Sequence, residues 1–337
     1  MKKYTPAIIL LIVSLMTQGC HLGTSGTWAN DRIDQSVKNQ IDVLNKKLFE
    51  SIASKDIPAT KLLMAPVLLE KSGKSIDTIV NAFGDNFKGT QYEILDEYYT
   101  KNTTTKVTNT LFPVRKTSED YIIQYLALNE EMYVSVLVSK DLPVNFVMLA
   151  IYGKYNDGWK INILQLGQYS ILGKTAPEYY NKSLVQYKKG NLIEAVDLIV
   201  MAGQIAHPGG TYFKYKNEDD MAAFYTKVLQ EANTKYHFPV TLDKVKSKPQ
   251  IFSINPQLIE KGDNKGIFPI VGYKSAIALN DTVALKAENK AMQQTIGEIF
   301  KGIDSEGYII YQAYNQIPDG KTSVKRYGFI QRPSIKR

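Results

Sequence analysis

Cysteine is nearly absent from this chain, with one residue in 337, at position 20. No internal disulfide can form, and a cysteine-rich zinc site is excluded. Histidine is almost as scarce, with three copies, His21, His207 and His237. Their spacing matches no zinc motif; His207 and His237 flank a helical stretch and would have to recruit Asp219 or Asp220 to hold a metal. No G-x-S-x-G elbow offers a nucleophilic serine. Gly209-Gly210 and the stretch Gly262 to Gly266 lack the lysine-hydroxyl ending of a phosphate-cradling loop. We therefore assign no catalytic residue, no metal ligand and no cofactor. Long apolar runs are missing too: spanning a bilayer takes about 20 apolar residues, whereas Ala7 to Met16 is a stretch of ten, interrupted by Ser14.

Charge excludes a further class. The formal net charge is +8, and Lys2 and Lys3 supply two of these charges. The segment Lys321 to Arg337 holds Lys321, Lys325, Arg326, Arg332, Lys336 and Arg337 and no acid, so the rest of the chain is balanced. The basic excess is local and gives no nucleic-acid-binding surface. It reads as a solvated C-terminal tail, or as a contact to anionic lipid or another envelope polyanion.

What is present starts with "MKKYTPAIILLIVSLMTQGC", in the positive, apolar, small-residue order of a bacterial secretory signal. Its end resembles the lipobox of bacterial lipoproteins, in which a cysteine after a small residue receives diacylglycerol and becomes the first residue of the mature chain. Gly19 holds the small position, while Thr17 and Gln18 stand where Leu and Ala or Ser are usual. The resemblance implies removal of residues 1–19 as a signal peptide, lipid attachment at Cys20, and an exported protein anchored on the cell membrane or outer membrane. His21, in place of a retention aspartate, points to the outer membrane. A lone exposed thiol is a liability in an oxidising compartment, and acylation removes it. More than one acyl chain anchors stably. Residues 20–33, including "HLGTSGTWAND", are small and polar with no helical period and read as a flexible tether.

From Asp34 the pattern is helical, with Val37, Ile41, Leu44, Leu48 and Ile52 forming one apolar stripe. A second helix starts at Pro58 and carries Leu62, Leu63, Val67 and Leu68, with Pro66 expected to kink or shorten it. A third runs from a cap at Ser75 to Phe83 and stops at Gly84. From Thr90 to Tyr169 the period is two, as in "YIIQYLAL" and "YVSVLVS". "FVMLAIYGKYNDGWKINILQL" is the clearest hairpin, turning at Asn156-Asp157-Gly158. In its second arm the apolar phase slips between Ile161, Ile163 and Leu164, Leu166, which predicts a bulge. The fold class is α+β: N-terminal helices packed on a curved antiparallel sheet.

Residues 34–172 resemble the nuclear-transport-factor-2-like superfamily, whose cone-shaped sheet wraps helices. The residues that carry the resemblance are the hairpin Tyr152 to Leu166, with Gly158-Trp159-Lys160-Ile161 in its second arm. It implies a concave face able to hold a small molecule or a protein partner. It also implies an alternative, an isomerase or dehydratase using a buried acid, against which stands the absence of histidine from Thr90 to Tyr169. The acid pairs Asp96-Glu97, Glu119-Asp120 and Glu130-Glu131 are the candidates for such a role; neighbours in a strand face opposite sides, so one of each pair is expected in solvent. The chain contains 22 tyrosines. They are frequent on the strands, at Tyr92, Tyr98, Tyr99, Tyr121, Tyr125, Tyr133 and Tyr152, where they suit either half-buried sheet or a ligand pocket.

Residues 175–238 form a helical connector. Within it, Ala176 to Gly210 is similar to one tetratricopeptide hairpin, with Tyr187, Gly190, Glu194, Ala195 and Ala202 at the motif's spacing and Pro208 one place late. One copy cannot form a peptide-binding array, so it reads as a packing bracket between domains, with an assembly scaffold as the other reading. Residues 249–333 form a small α+β domain whose long helix is capped by Asp281 and turns Leu285, Met292, Ile296 and Ile299 inward. The boundary is placed between Pro239 and Pro249. Together these features lead us to expect a lipid-anchored envelope protein that binds a small molecule or protein partner and no nucleic acid.

Overall fold

A computed structural model of the chain describes residues 23–113, 120–260, 265–303 and 307–332. Cys20, His21, the signal-like stretch and Glu119 lie outside the described residues. The α+β expectation holds: helices and mostly antiparallel strands segregate along the chain, in three sheets.

The first sheet has the order β1 (Thr24–Ala29), β2 (Tyr92–Asn102), β5 (Glu131–Ser139), β6 (Val144–Tyr155) and β7 (Gly158–Ile171), antiparallel throughout. β1 corrects the reading of a tether for residues 23–33; residues 20–22 lie outside the described residues. From Gly23 the chain is pinned to β2: Gly23 N–H donates to Thr103 Oγ1 at 3.0 Å, and Thr24 and Ala29 pair with Asn102 and Tyr98. Small polar residues suit an edge strand with one neighbour, which needs main-chain bonds more than an apolar face.

Three helices cover one face of this sheet: α1 (Gln35–Ala53), α2 (Ile57–Leu62) and α3 (Pro66–Phe87). Asp34 caps α1, accepting from Ser36 N–H at 2.8 Å, and Ile41, Leu48 and Ile52 of the expected stripe are fully buried. Pro66 ends one helix and opens the next at its first turn, where its missing N–H costs nothing. Ser75 and Gly84 do not bound a third helix; both lie within the 22 residues of α3. Gly84 is there for close approach, since a Cβ on it would meet the Ile52 carbonyl oxygen at 2.8 Å where α1 crosses.

The predicted hairpin is β6 and β7, with Tyr155 paired to Gly158. The bulge is present: Ile151 faces Ile163 while Tyr152 faces Ile161, leaving Asn162 as the extra residue. "YIIQYLAL" departs from expectation. Its strand, β4 (Tyr121–Leu126), leaves the main sheet and forms a three-stranded one with β3 (Thr108–Leu111) and β8 (Phe213–Tyr215). The small sheet packs on the face of the main sheet away from the helices, so β5 and β6 are buried on both faces.

The connector holds α4 (Ala176–Lys188), α5 (Leu192–Gln204) and α6 (Glu218–Lys235). α4 starts in a capping box made by Thr175 and Glu178. Ala195 and Ala202 are buried, and Ser183 Oγ donates to the Ala195 carbonyl at 2.5 Å, so α4 and α5 touch closely. The third sheet runs β13 (Tyr327–Gln331), β12 (Ile309–Tyr314), β11 (Gly266–Lys274), β10 (Gln250–Ile259) and β9 (Val240–Thr241). It therefore begins at Val240, inside the expected linker. β11 and β12 are parallel and joined through α7 (Thr282–Ile299), which buries Leu285, Met292 and Ile296 but leaves Ile299 37% exposed. Lys321, Lys325 and Arg326 lie in the β12–β13 connection, and Arg332 follows β13 directly. The described part of the basic segment is thus a loop and an edge strand rather than a tail, and charge on an edge discourages further pairing.

Candidate functional site

The helix-facing side of the main sheet is filled. Ile41, Leu48, Ile76, Val80, Phe146 and Met148 form part of a core in which Tyr99, Tyr133, Tyr152 and Trp159 also pack. The polar groups concentrate along one seam. Lys38, Asp42 and Asn45 sit at i, i+4 and i+7 on α1 and so share a helix face. Deepest is Asn45, which donates to Ser135 Oγ at 3.0 Å and accepts from the Tyr152 hydroxyl at 2.8 Å.

At the outer end of the seam Lys38 Nζ lies 2.8 Å from Glu97 Oε2 on β2. Glu97 is 1% exposed, and its second oxygen, Oε1, has no hydrogen-bond partner among the described residues. The bond to Glu97 raises the Lys38 ammonium above its ordinary pKa against the opposing effect of burial. Burial, followed by the negative charge of Glu97, raises the Asp42 carboxyl. Tyr133 stands beside Glu97, and burial first and Glu97 second push its hydroxyl far up, so it is a neutral donor throughout the physiological range. An aromatic wall continues from it: Trp159 packs edge-on to Tyr133 at 6.3 Å and to Tyr99 at 6.2 Å, and Trp28 of β1 stacks on Tyr99 at 5.5 Å.

Asp96, the neighbouring acid, points to the other face, as strand geometry requires. It is nevertheless buried, because both faces of the sheet are covered. The expectation that one acid of this pair would be solvated is therefore wrong. Asn30 Nδ2 donates to Asp96 Oδ1 at 2.8 Å, and the Tyr121 hydroxyl donates to Oδ2. Asn30 also accepts the Glu97 N–H at 2.8 Å and adopts φ 50, a conformation asparagine tolerates better than most residues. It follows the end of β1 at Ala29, opposite Tyr98, so the edge of β2 from Glu93 to Glu97 faces no strand among the described residues. That edge lines a cleft of about 680 Å³, together with Ala29 to Arg32, Lys38 and Tyr121. A bulge at Leu95 shifts the β2–β5 register between Ile94 and Asp96 at this point. Among the described residues, Arg32 and Lys38 meet four carboxylates, Asp31, Glu93, Asp96 and Glu97, on the cleft wall, and Glu93 also pairs with Lys140 at 3.6 Å. The acidic lining and the second oxygen of Glu97 suit a cationic, donor-rich ligand.

The remaining candidates do not converge. Glu131 accepts from the Tyr99 hydroxyl, Glu130 is exposed, and Asp120 pairs with Lys216 at 2.6 Å. His207 is 64% exposed beside Glu218, at 3.4 Å. Asp219 pairs with Lys214 at 2.9 Å, and His237 is exposed after α6. No three His, Cys, Asp or Glu side chains form a metal set among the described residues. Lys38, Asp42, Asn45 and Asn30 escaped the sequence reading. Their spacing beside the Ile41–Leu48 stripe was the available signal for the first three, and nothing local marked Asn30. Of the α4–α5 hairpin, α5 is an interior element, with eight residues buried, among them Glu194 and Asp197. No family model matches this chain, and neither does any curated protein or solved structure.

Proposed function

We propose that this protein is an exported lipoprotein, anchored through acyl chains on Cys20, whose cleft at the β2 edge binds a small cationic molecule or a basic segment of a protein partner. The observation that carries the binding half is the cleft wall itself, where, among the described residues, four carboxylates stand against Arg32, Lys38 and, at the rim, Lys140, beside a stretch of the β2 edge that pairs with no described strand. The anchoring half rests on the lipobox-like stretch. From Cys20 to Gly23 is three residues, a reach of at most about 10 Å, so the Gly23 end of the sheet would face the headgroups. The cleft lies at the other end of β1.

Two measurements test the two halves separately. Intact-mass analysis of membrane-extracted protein is expected to find Cys20 as an acylated N-terminus, and Cys20→Ser to move the protein into the soluble fraction; an unmodified thiol defeats the anchor. Spermidine and arginine are expected to raise the melting temperature of the wild type, with the effect lost in the Asp31→Asn/Glu93→Gln double variant, whose changes sit on exposed rim residues. Equal responses in both proteins defeat the cleft.

A second reading, catalysis by a buried carboxylate, draws on Glu97 standing beside Asp42 and Tyr133 inside the helix-covered side. The Lys38 ion pair and the packed side chains around it favour binding over turnover.

A further inference from the structure

Away from the cleft, the connector carries two buried acids that the proposed function does not use. Glu194 and Asp197 are three residues apart on α5, on one helix face. That face meets the third sheet. Asp197 is 5% exposed, and its Oδ1 has no hydrogen-bond partner among the described residues. Both acids line a cavity of about 150 Å³, closed on the far side by Gly266 to Pro269 of β11 and by Gly302-Ile303 after α7. Lys174 and Lys182 line the same cavity; Lys174 is half-buried and Lys182 exposed. The charges thus separate by depth, with carboxylates inside and ammonium groups nearer solvent.

An isolated carboxylate is not left buried without compensation, which comes from a proton, a cation or a hydrogen-bond donor. A cavity of about 150 Å³ in an apolar core holds a molecule of benzene's size, about six heavy atoms. Here charged groups stand at both depths among apolar ones such as Ile193, Leu198 and Ile267, so a guest must match them at both. A bare metal ion would satisfy Asp197 but leave the lysines facing a cation. A simple anion would do the reverse.

We propose that this cavity binds a small zwitterion of about six heavy atoms, its ammonium group against Asp197 and its carboxylate toward Lys174 and Lys182. Burial, and next the charge of Glu194, raises the Asp197 carboxyl to about 8, so near neutral pH the empty site holds a proton. An arriving ammonium group replaces it. Binding therefore releases a proton to the buffer and strengthens as pH rises from 6 to 8.

Calorimetry on the full chain in detergent tests this with glycine, alanine and β-alanine, against propylamine, propionate and calcium chloride as one-charge controls. Saturable one-to-one binding of at least one amino acid is expected, with a heat that scales with the buffer's ionisation enthalpy. Asp197→Asn, which keeps the side-chain shape without its charge, and Lys174→Met are each expected to weaken it at least tenfold. The Asp31→Asn/Glu93→Gln variant should bind as the wild type does, which separates this site from the cleft. Absence of binding by all three amino acids overturns the proposal, as does propylamine or calcium binding as tightly as they do. Unchanged affinity in Asp197→Asn overturns it too. Should that variant fail to fold, unchanged affinity in Lys174→Met, at a half-buried site, decides against it alone.

Discussion

The ion pair between Lys38 and Glu97 sets the energetics of the cleft at the scale of single residues. Glu97 is almost wholly enclosed and Lys38 keeps 19% of its side-chain surface, so removing the cation leaves a carboxylate with no counter-charge and an oxygen already unpartnered. Breaking one side of such a pair costs about 3 kcal/mol, whereas replacing both sides can be neutral. Lys38→Met should therefore lower stability in urea by about that amount, and Lys38→Met/Glu97→Gln should recover most of it. A single variant as stable as the wild type would show the pair to be solvent-screened. The cation of this pair left a signal in the sequence that went unused: Lys38, Asp42 and Asn45 fall at helical spacing beside the apolar stripe. Glu97 was legible only as one acid of a strand pair. Which acid faces the helices depends on the β2 bulge and on Asn30 ending β1, and neither leaves a pattern in composition or period.

Elements follow the same logic, with local chemistry predicting each one and tertiary contact deciding where it stops. The Asn-Asp-Gly turn and the apolar slip announced the β6–β7 hairpin and its bulge because both are properties of adjacent residues. The bulge residue Asn162 is held from several sides: it donates to Asn129 Oδ1 at 2.7 Å and accepts from the Tyr155 hydroxyl at 2.7 Å. Gly153 makes room for this arrangement. A Cβ there would lie 2.0 Å from Asn129 Oδ1 and 2.3 Å from Asn162 Nδ2. Gly153→Ala is accordingly expected to cost about 1–3 kcal/mol, the usual range for overpacking, and to raise hydrogen exchange in β6 and β7; an unchanged exchange pattern would mean the bulge adapts. Elsewhere the same local signals misled. Gly84 looked like a helix stop, but the crossing of α1 required it inside α3. The polar stretch before Asp34 looked like a tether because an edge strand needs no apolar alternation. β3 and β4 were read into the main sheet, since nothing near Tyr121 tells of a partner strand at Phe213–Tyr215, some ninety positions on.

On the scale of the whole molecule, the connector is the structural centre. One core runs from Val134 and Leu149 of the main sheet through Ile199 and Ala202 of α5 to Val271 and Tyr311 of the third sheet. Asp197 lies at the seam between α5 and that sheet, so its ionisation reports on how the halves hold together. Its carboxyl is raised from 3.8 to about 8 on folding. Between those values the folded chain binds a proton that the unfolded chain has released, so stability declines as pH rises and levels off above about 8. At roughly 1.4 kcal/mol per pKa unit the loss is at most about 6 kcal/mol, and less where the seam relaxes. Lys174, Lys182, Glu194 and Tyr179 face the same cavity; they remain in the Asp197→Asn protein, so the difference between the two proteins isolates the acid. Urea midpoints at pH 5, 7 and 9, measured without amino acids, should show the wild type losing ground steadily to Asp197→Asn, which overtakes it by pH 9. Parallel profiles would mean that the seam already supplies Asp197 with water or a counter-charge, and that the two halves are not coupled through its proton.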